Sequence, residues 1–489
     1  MKVAIIILLG ISTSCAGQHH SDRVKASGSG LPNIVFILAD DMGYGDVQCY
    51  NAASKIATPN IDHLAAEGIK FTDAHAPGSW CVPSRYGLIT GQYPLRKSMN
   101  IKKGGLIAKG QTTIASLLQR NGYHTAMIGK WHLGFDGISD WDKVDYNQPF
   151  KGGPLDHGFD YFFGMHASLD IPPYFYIENN RAVEAPTGPI ADHQSVHATT
   201  TISGKFWRAG KIAPGFKHEE VLPAFTRKAV SVMETHVIQK KRQPFFLYLS
   251  LTAPHTPWMA QAPFAGKSAV GEYGDFTMQV DHTIGQVLKT LEKLALKENT
   301  LVIFTSDNGP VWFKEDILKF NHRSTAKFRG MKLDAYEGGH RVPFIVRWPG
   351  KIKPGTSSST LLCFTDMLAT FAEVVGDTLS AETRRDSYNL LPALINNGKS
   401  QRKGLIVEGH TVRDGDWKLI FGSGTGVLQR QWGLVKTGPV KGELYNLKQD
   451  PGETNNLYSM HPEKVAVLTR QMEQYKAEST APKLSQAVK

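Results

Sequence analysis

The chain has 489 residues, of which 41% are hydrophobic and 20% are charged, a balance typical of a globular protein with one large domain and a smaller one. Lys and Arg total 55 against 44 Asp and Glu, so the net charge is +11. This excess indicates either a generic basic surface or an acidic partner such as a sulfated polysaccharide, and the lack of a long Lys/Arg run argues against nucleic acid.

The chain begins with the features of an export signal. One lysine precedes an apolar run from Val3 to Ile11, and small residues follow, so residues 1–18 are predicted to be a signal peptide. Cys15 lies where a bacterial lipoprotein would be cleaved and lipidated, although such signals usually have Leu where Ser12 stands. A lipid anchor at Cys15 stays open, and the expected location is the periplasm, the outer membrane or the extracellular face. Residues 19–30 are polar and predict a flexible tether.

Apolar runs that end in polar residues predict buried parallel strands along the next part of the chain. A helix is expected from Thr58 to Gly68 and another from about Phe276 to Leu296. Strands that alternate with helices predict a doubly wound, mostly parallel α/β sheet in a domain spanning residues 31–400. The predicted strands lie within residues 33–43, 123–132, 244–258, 299–310 and 341–350.

Two regions depart from this pattern. Residues 134–222 are rich in Gly, Pro, His and aromatic residues and are expected to form an ordered, substrate-facing insertion. Residues 401–489 contain short strands with turns and a closing helix, which predict a smaller C-terminal α+β subdomain.

Oxygen-bearing side chains follow two of the predicted strands. Asp40 and Asp41 end the first strand, and Asp307 and Asn308 end the fourth. The carboxyl ends of parallel strands can be neighbours, and four hard oxygen ligands suit Ca²⁺ or Mg²⁺ better than zinc. Each pair taken alone could equally be a turn, so the prediction of a metal site depends on both pairs together.

A set of cations lies close to these aspartates in the sequence. Lys130 and His132 are two residues apart and face the same way in an extended segment. Arg85 follows Cys81 by four residues, which puts both on one face of a helix. Together with a helix start, such groups could bind a tetrahedral oxyanion. The set comprises Arg85, Lys130, His132, His255, Arg329 and Lys332.

Five sequence blocks, all in order, resemble the type I sulfatases of the alkaline phosphatase superfamily. The most specific is Cys-Val-Pro-Ser-Arg at 81–85 with Thr-Gly at 90–91, which fits the signature C-x-P-S-R-x₄-T-G. The other blocks are 38–46, 122–134, 305–309 and 332–350. The resemblance covers residues 31 to 460 and implies an alkaline-phosphatase-like fold, with a large mostly parallel sheet flanked by helices and a C-terminal antiparallel sheet. It also implies the hydrolysis of sulfate monoesters.

The resemblance implies roles for individual residues. A formylglycine-generating maturation enzyme would oxidise Cys81 to formylglycine (3-oxoalanine), whose hydrated form attacks sulfur. One Ca²⁺ ion, with Mg²⁺ the weaker choice, would be held by Asp40, Asp41, Asp307, Asn308 and residue 81. The cations Arg85, Lys130, His132, His255 and Lys332 would surround the sulfate. His255 would protonate the departing alcohol with help from Lys332, and His132 would remove the proton whose loss expels sulfate.

The substrate is expected to be a sulfated carbohydrate. Residues 164–179, 203–223 and 321–332 resemble sulfatases that act on sulfated sugars, including galactose- and N-acetylgalactosamine-6-sulfate, and exo action is expected. The candidate sugar contacts are His166, Asp170, Trp207, Arg208 and His322. For His166 and Trp207, packing within the loop is an equal alternative.

Two other functions stay open. One is a phosphate or phosphonate ester hydrolase of the same superfamily, although Asn308 stands where a two-metal phosphatase favours His. The other is a non-catalytic glycan-binding lipoprotein, which requires Cys81 to stay unmodified. A Cys49–Cys363 disulfide is possible. The sequence leaves open the sugar, the sulfate position, endo versus exo action and the oligomeric state.

Overall fold

A computed structural model describes most of the chain, namely residues 30–195, 200, 202–240, 243–395, 398, 400–426 and 440–480. The predicted signal peptide, Cys15 and nearly all of the predicted tether lie outside these residues. Within the described ranges, no helix combines the length and the apolar character that a membrane span needs.

The strands and helices are numbered in chain order. The strands are β1 Asn33–Asp40, β2 Ile69–Phe71, β3 Ala74–His75, β4 His124–Lys130, β5 Tyr161–Met165, β6 Ile177–Glu178, β7 Arg181–Ala182, β8 Gly188–Ile190, β9 Gly210–Ile212, β10 Phe245–Pro254, β11 Thr300–Ser306, β12 Phe344–Arg347, β13 Thr356–Ser358, β14 Leu362–Cys363, β15 Gly404–Val407, β16 Thr411–Asp414, β17 Trp417–Phe421 and β18 Gly442–Asn446. The α-helices are α1 Pro59–Ala66, α2 Cys81–Thr90, α3 Ile114–Arg120, α4 Val221–Gln239, α5 Gly271–Lys293, α6 Lys314–Phe320, α7 Glu337–His340, α8 Asp366–Val374, α9 Leu391–Ile395 and α10 Pro462–Thr480.

A ten-stranded sheet in the order β13-β2-β12-β11-β1-β10-β4-β5-β6-β7 forms the centre of the molecule. Its middle strand β1 runs parallel to β10 and β11, with Phe36 paired to Tyr248 and Ile303. Every residue of β1 is buried, so both of its faces are covered. One group of contacting helices contains α1, α4 and α5, and another contains α2, α3 and α8. The mixed α/β fold with a mostly parallel sheet is therefore confirmed.

The strand predicted within 341–350 runs in the direction opposite to that of the central parallel strands. As β12, it is antiparallel to both β11 and β2. The segment between β11 and β12 contains α6 and α7 and returns to the same edge of the sheet, so the chain re-enters β12 from the end where β11 stops. The sheet is therefore parallel in its centre, with β12 reversed on one side and antiparallel pairing of β5, β6 and β7 on the other, while the edge strand β13 is parallel to β2.

The insertion at 134–222 extends the sheet rather than lying outside it. Strand β5 pairs in parallel with β4, and β6 and β7 follow in antiparallel order. Trp141, Phe150 and Phe175 contact one another in an aromatic cluster beside these strands. The apolar rings bury enough surface to hold a segment that has little regular secondary structure.

The C-terminal part forms a separate four-stranded antiparallel sheet in the order β15-β16-β17-β18, with α10 packed against β16 and β17. Buried ion pairs join this sheet to the large domain, as between Arg413 and Asp73. In the described part of the chain Cys49, Cys81 and Cys363 are all free thiols, so the Cys49–Cys363 disulfide is not formed.

Arg402 joins the two parts through a buried ion pair. Its guanidinium donates to both carboxylate oxygens of Asp366, at 2.8 and 2.5 Å, and to the Tyr93 hydroxyl at 2.5 Å. Arg402→Met leaves Asp366 buried without its charge partner, so we expect the free energy of unfolding to fall by about 3–5 kcal/mol. Urea unfolding measures the change.

Arg120→Met is the matched control for Arg402→Met. Arg120 pairs with Asp377 near the surface, where its side chain is 42% exposed. We expect a loss of at most about 1 kcal/mol there. Equal losses in the two variants would contradict a special contribution from the buried pair.

Candidate active site

The oxygen-bearing residues of the two strand ends lie together. Asp40 is the last residue of β1, and Asp41 follows with a φ of 63°, in the left-handed region that non-glycine residues rarely adopt. The Asp41 amide donates to Asp307 Oδ1 at 3.1 Å, and Asn308 Nδ2 donates to Asp41 Oδ1 at 2.6 Å. All four side chains are buried. The turn after β1 therefore brings the carboxylates into one cluster at the carboxyl edge of the sheet.

The surroundings favour the charged form of Asp40 but disfavour the charged form of Asp307. Burial opposes the ionisation of Asp40, but the nearby charges of Lys130, His255 and Arg85 outweigh it and hold the pKa of Asp40 well below its usual range. Burial and the charge of Asp40 raise the pKa of Asp307 to about 6. The charge of Asp40 thus disfavours the ionisation of Asp307, and a bound cation would offset this repulsion.

The donor set fits a hard divalent cation. The Oδ1 atom of Asn308 is buried and has no hydrogen-bond partner among the described residues. Ligand atoms from Asp40, Asp41, Cys81 and His255 lie within 4.8 Å of one another. Oxygen ligands dominate the set, and an unpaired buried amide oxygen is costly unless a ligand binds it.

Helix α2 places Cys81 against this cluster. The backbone is extended at Trp80, the helix begins at Cys81, and Gly91 ends it with a φ of 68°. The Cys81 Sγ atom lies 3.6 Å from Asp40 Oδ1 and 3.4 Å from Lys332 Nζ. Burial raises the pKa of the Cys81 thiol to about 12, so the unmodified thiol is a weak nucleophile at neutral pH.

Three cationic side chains lie in the cluster around Cys81, and each forms an ion pair with a carboxylate. Arg85, one helical turn after Cys81, donates to Asp307 Oδ2 through Nε at 3.1 Å and Nη2 at 2.8 Å. Lys130 Nζ lies 2.7 Å from Asp40 Oδ2, and Lys332 Nζ lies 2.7 Å from Asp41 Oδ1. Because each ammonium or guanidinium group is held in place, positive charge is available before any substrate binds.

Two histidines complete the site. His132 has a φ of 55° and is buried, and burial together with Lys130 and Arg85 holds its pKa well below the usual range. Its Nδ1 has no hydrogen-bond partner among the described residues. His255 Nδ1 lies 2.7 Å from the Thr256 carbonyl, which fixes the ring so that Nε2 lies 3.6 Å from Asp41 Oδ2.

Comparisons with known proteins agree with this arrangement. Residues 32–377 match the family described as Sulfatase, and residues 331–478 match the family described as N-sulphoglucosamine sulphohydrolase, C-terminal.

The chain belongs to the sulfatase family.

The relatives of this sulfatase match over most of their length. It is 34% identical to the N-acetylgalactosamine-6-O-sulfatase of Bacteroides thetaiotaomicron, over 96% of this chain and 98% of that protein. It is also 34% identical to human arylsulfatase A, over 87% and 83%. A solved structure described with the metabolism of multiple glycosaminoglycans by Bacteroides thetaiotaomicron superposes with a TM-score of 0.79 and 32% identity, over 92% of this chain and 100% of that one. The sulfatase is therefore an enzyme that hydrolyses sulfate esters.

Two of the predicted sugar contacts lie beside the catalytic cluster of the sulfatase. Asp170 Oδ1 is 3.9 Å from His255 Nδ1 and has no hydrogen-bond partner among the described residues. The Asp170 side chain forms an ion pair with Arg208, whose own side chain is about half exposed. The Asp170–Arg208 pair therefore lies next to His255.

Trp207 and His166 pack within the insertion instead. The Trp207 indole lies between His193 and His218, with ring centroids 4.4 and 4.8 Å away, so neither face is open to a sugar. His166 lies 4.5 Å from the Trp141 ring, and its Nε2 lies 3.0 Å from the Pro173 carbonyl. The packing alternative left open for both residues explains their contacts.

The prediction of a sugar contact for His322 is not supported by its surroundings. Its side chain is fully buried, and its Nε2 lies 2.8 Å from Asp46 Oδ1. Asp46 also accepts from Gly43 N, Ser324 Oγ and the Tyr273 hydroxyl. These contacts fix the turn that follows Asp41, so His322 acts within the scaffold of the site.

Arg329 also lies away from the cluster. Its guanidinium stacks 3.9 Å from the centre of the Tyr336 ring and donates to the Glu453 carbonyl at 2.8 Å. Arg329 therefore contacts the C-terminal sheet rather than the sulfate site. Conversely, Ser250 was not predicted, although its hydroxyl accepts from Arg85 at 2.5 Å and donates to the Lys130 carbonyl.

A second buried group of titratable residues lies between the two sheets. His75, Glu337 and His340 come close enough to hold an ion. The Lys418 ammonium, however, lies 3.0 Å from Glu337 Oε1 and 3.1 Å from His340 Nε2. The protein thus supplies its own cation here, and the group joins the C-terminal sheet to α7.

Proposed function

We propose that this sulfatase removes a 6-O-sulfate from a galactose or N-acetylgalactosamine residue at the end of a polysaccharide chain. The observation that carries sulfate-ester chemistry is the set of cations around the buried Cys81 side chain: Lys332 contacts its Sγ atom, and Lys130 and Arg85 pair with the neighbouring Asp40 and Asp307. The sugar is inferred from the relatives named N-acetylgalactosamine-6-O-sulfatase and N-acetylgalactosamine-6-sulfatase. Exo action is inferred from the position of Cys81, which is only 3% exposed and best reached by a terminal unit.

We also propose that a maturation enzyme converts Cys81 to formylglycine and that Ca²⁺, in preference to Mg²⁺, binds to Asp40, Asp41, Asp307 and Asn308. The hydrated aldehyde would supply one hydroxyl as the nucleophile and a second hydroxyl that lets sulfate leave by elimination, and the ion would supply positive charge beside the ester. The buried, protonated thiol supports this proposal, because it would be a poor nucleophile without conversion.

Within the chain itself, the cations bind and orient the sulfate group. A sulfate ester repels an attacking oxygen nucleophile, and charge grows on the bridging oxygen as the ester breaks, so fixed positive charge lowers the barrier. Lys332 is the cation whose contact with the reacting side chain is direct, at 3.4 Å. Lys130 and Arg85 add charge while they hold Asp40 and Asp307 in place.

The two histidines are suited to opposite proton transfers. The depressed pKa of His132 keeps its imidazole neutral and able to accept a proton from residue 81. His255 carries its Nδ1 proton towards the Thr256 carbonyl, so its Nε2 is the atom that would hold a proton for the departing sugar oxygen. The Asp170–Arg208 pair next to His255 would contact the sugar hydroxyls.

We further propose that the enzyme is exported by its N-terminal signal, with a lipid anchor at Cys15 as one form. A sulfated polysaccharide is too large to enter a cell intact, so its hydrolysis belongs outside the cytoplasm. The net charge of +11 favours the approach of such a polyanion.

The proposed substrate is tested with a panel of defined sulfated sugars. We expect sulfate release from galactose-6-sulfate and N-acetylgalactosamine-6-sulfate, with kcat/KM on the order of 100-fold lower for the 4-sulfated isomers, because a misplaced ester cannot reach residue 81. Ion chromatography of released sulfate measures the rates. p-Nitrophenyl phosphate is the control for phosphatase chemistry. Equal rates for the 4-sulfate, or faster phosphate release, would overturn the proposal.

A further inference from the structure

Glu408, in the turn between β15 and β16 of the C-terminal sheet, contacts the loop that precedes Cys81. Its Oε1 accepts from the backbone amide and the hydroxyl of Ser79, at 2.5 and 2.8 Å. Its Oε2 accepts from the indole N–H of Trp80 at 2.9 Å. Trp80 is the residue directly before helix α2, so one carboxylate fixes the entry into the helix that carries the reacting side chain.

The same loop is bonded to the segment that carries Lys332. The carbonyl of Ser79 accepts from the Leu333 amide at 2.8 Å, and Leu333 has a φ of 69°. Ser79 therefore links two partners, since its amide and hydroxyl bind Glu408 while its carbonyl binds Leu333, the residue next to Lys332. A shift of Ser79 would move Cys81 and Lys332 relative to each other, and these two are only 3.4 Å apart.

The backbone at Glu408 itself indicates a functional constraint. Its φ of 51° lies in the left-handed region, which is unfavourable for a residue with a side chain. Its amide donates to the Pro77 carbonyl at 3.1 Å, which draws the turn against the Ser79 loop. The Glu408 carboxylate accepts three hydrogen bonds, and bonds to a charged acceptor are stronger than bonds between neutral groups. These bonds offset the cost of the unfavourable backbone conformation.

We propose that Glu408 is a positioning residue for sulfate ester hydrolysis. It acts through Ser79 and Trp80 to set the distance between residue 81 and Lys332, without contact with the substrate. The C-terminal sheet thus contributes to the geometry of the reaction as well as to the stability of the fold. This inference rests on the proposed role of residue 81.

The test compares Glu408→Ala and Glu408→Gln with the unaltered enzyme on a 6-sulfated sugar. We expect Glu408→Ala to lower kcat by about 10- to 100-fold, because small misplacements of reacting groups have effects of this size. KM should stay close to that of the unaltered enzyme, whereas the thermal midpoint should fall by a few degrees, because Ser79 and Trp80 lose three hydrogen bonds. Glu408→Gln keeps an oxygen for Ser79 but sets its amide against the Trp80 indole N–H, so its kcat should fall by a smaller factor. Glu408 borders an open surface pocket of about 540 Å³, so the shorter side chain creates no sealed cavity.

Peptide mass spectrometry gives the fraction of chains converted at residue 81, and kcat is expressed per converted chain. Gln471→Ala is the matched control, since it removes a 2.9 Å hydrogen bond to Asp414 within the same subdomain but away from Ser79. The proposal is overturned by a wild-type kcat in Glu408→Ala, or by equal losses of kcat and thermal midpoint in Glu408→Ala and Gln471→Ala. If Glu408→Ala gives no folded protein, Glu408→Gln decides by the same criteria. Cys81→Ala in the same assay tests the proposed role of residue 81 separately from the proposed role of Glu408. Sulfate release by Cys81→Ala would refute the role of residue 81.

Discussion

Cys81→Ala is expected to abolish sulfate release while leaving the fold intact. The Sγ atom contacts polar partners, Asp40 and Lys332, and its removal takes no apolar side chain from the core. Loss of the reacting group should lower the rate by a factor on the order of 10⁴ or more. Ion chromatography of released sulfate measures the rate, and the thermal midpoint reports the fold.

Cys81→Ser sharpens the same prediction. A serine hydroxyl can attack an ester once, but it has no second hydroxyl to expel the sulfate, so turnover should also cease. Cys49→Ala is the control, because Cys49 is a free thiol outside the catalytic cluster and its amide donates to Asp62. A serine variant that keeps turnover in a host unable to modify serine would contradict the elimination route. A native Cys81 peptide with the full thiol mass would contradict the proposed conversion.

The cluster of oxygen-bearing side chains could be predicted from the sequence because local patterns report strand ends. An apolar run that stops at Asp40 or Asp307 marks a buried strand and its carboxyl edge, and parallel strands bring those edges together. The side of α2 that carries Arg85 follows from helical spacing alone. The amino-acid order therefore predicts the position of a side chain when that position depends only on the geometry of one short segment.

Contacts between distant segments cannot be predicted in this way. Glu408 and Ser79 are separated by 329 positions, and no period or spacing connects them. Trp207 was one of the candidate sugar contacts, but the rings of His193 and His218 pack on its indole from separate parts of the insertion. A residue type indicates what a side chain can bind, whereas burial decides whether anything can reach it.

Asp307→Ala should remove the metal ion and the activity together. Asp307 accepts from the Asp41 amide at 3.1 Å and from Arg85 at 2.8 Å, so its loss removes one proposed oxygen ligand and releases two neighbours. The uncompensated Arg85 charge would then repel a cation from the remaining carboxylates. We expect bound Ca²⁺ to fall from one ion per chain towards zero after gel filtration, and kcat to fall by a factor on the order of 10³.

The control for Asp307→Ala is Asp386→Asn, which alters a buried carboxylate that pairs with Arg96 at 2.6 Å outside the site. This variant should keep its metal, as measured by elemental analysis, and its activity. Full activity of the unaltered enzyme after thorough chelation, or a normal ion content in Asp307→Ala, would contradict the metal assignment. A parallel loss of ion and rate in Asp307→Ala alone would instead link the bound ion and the activity to this carboxylate.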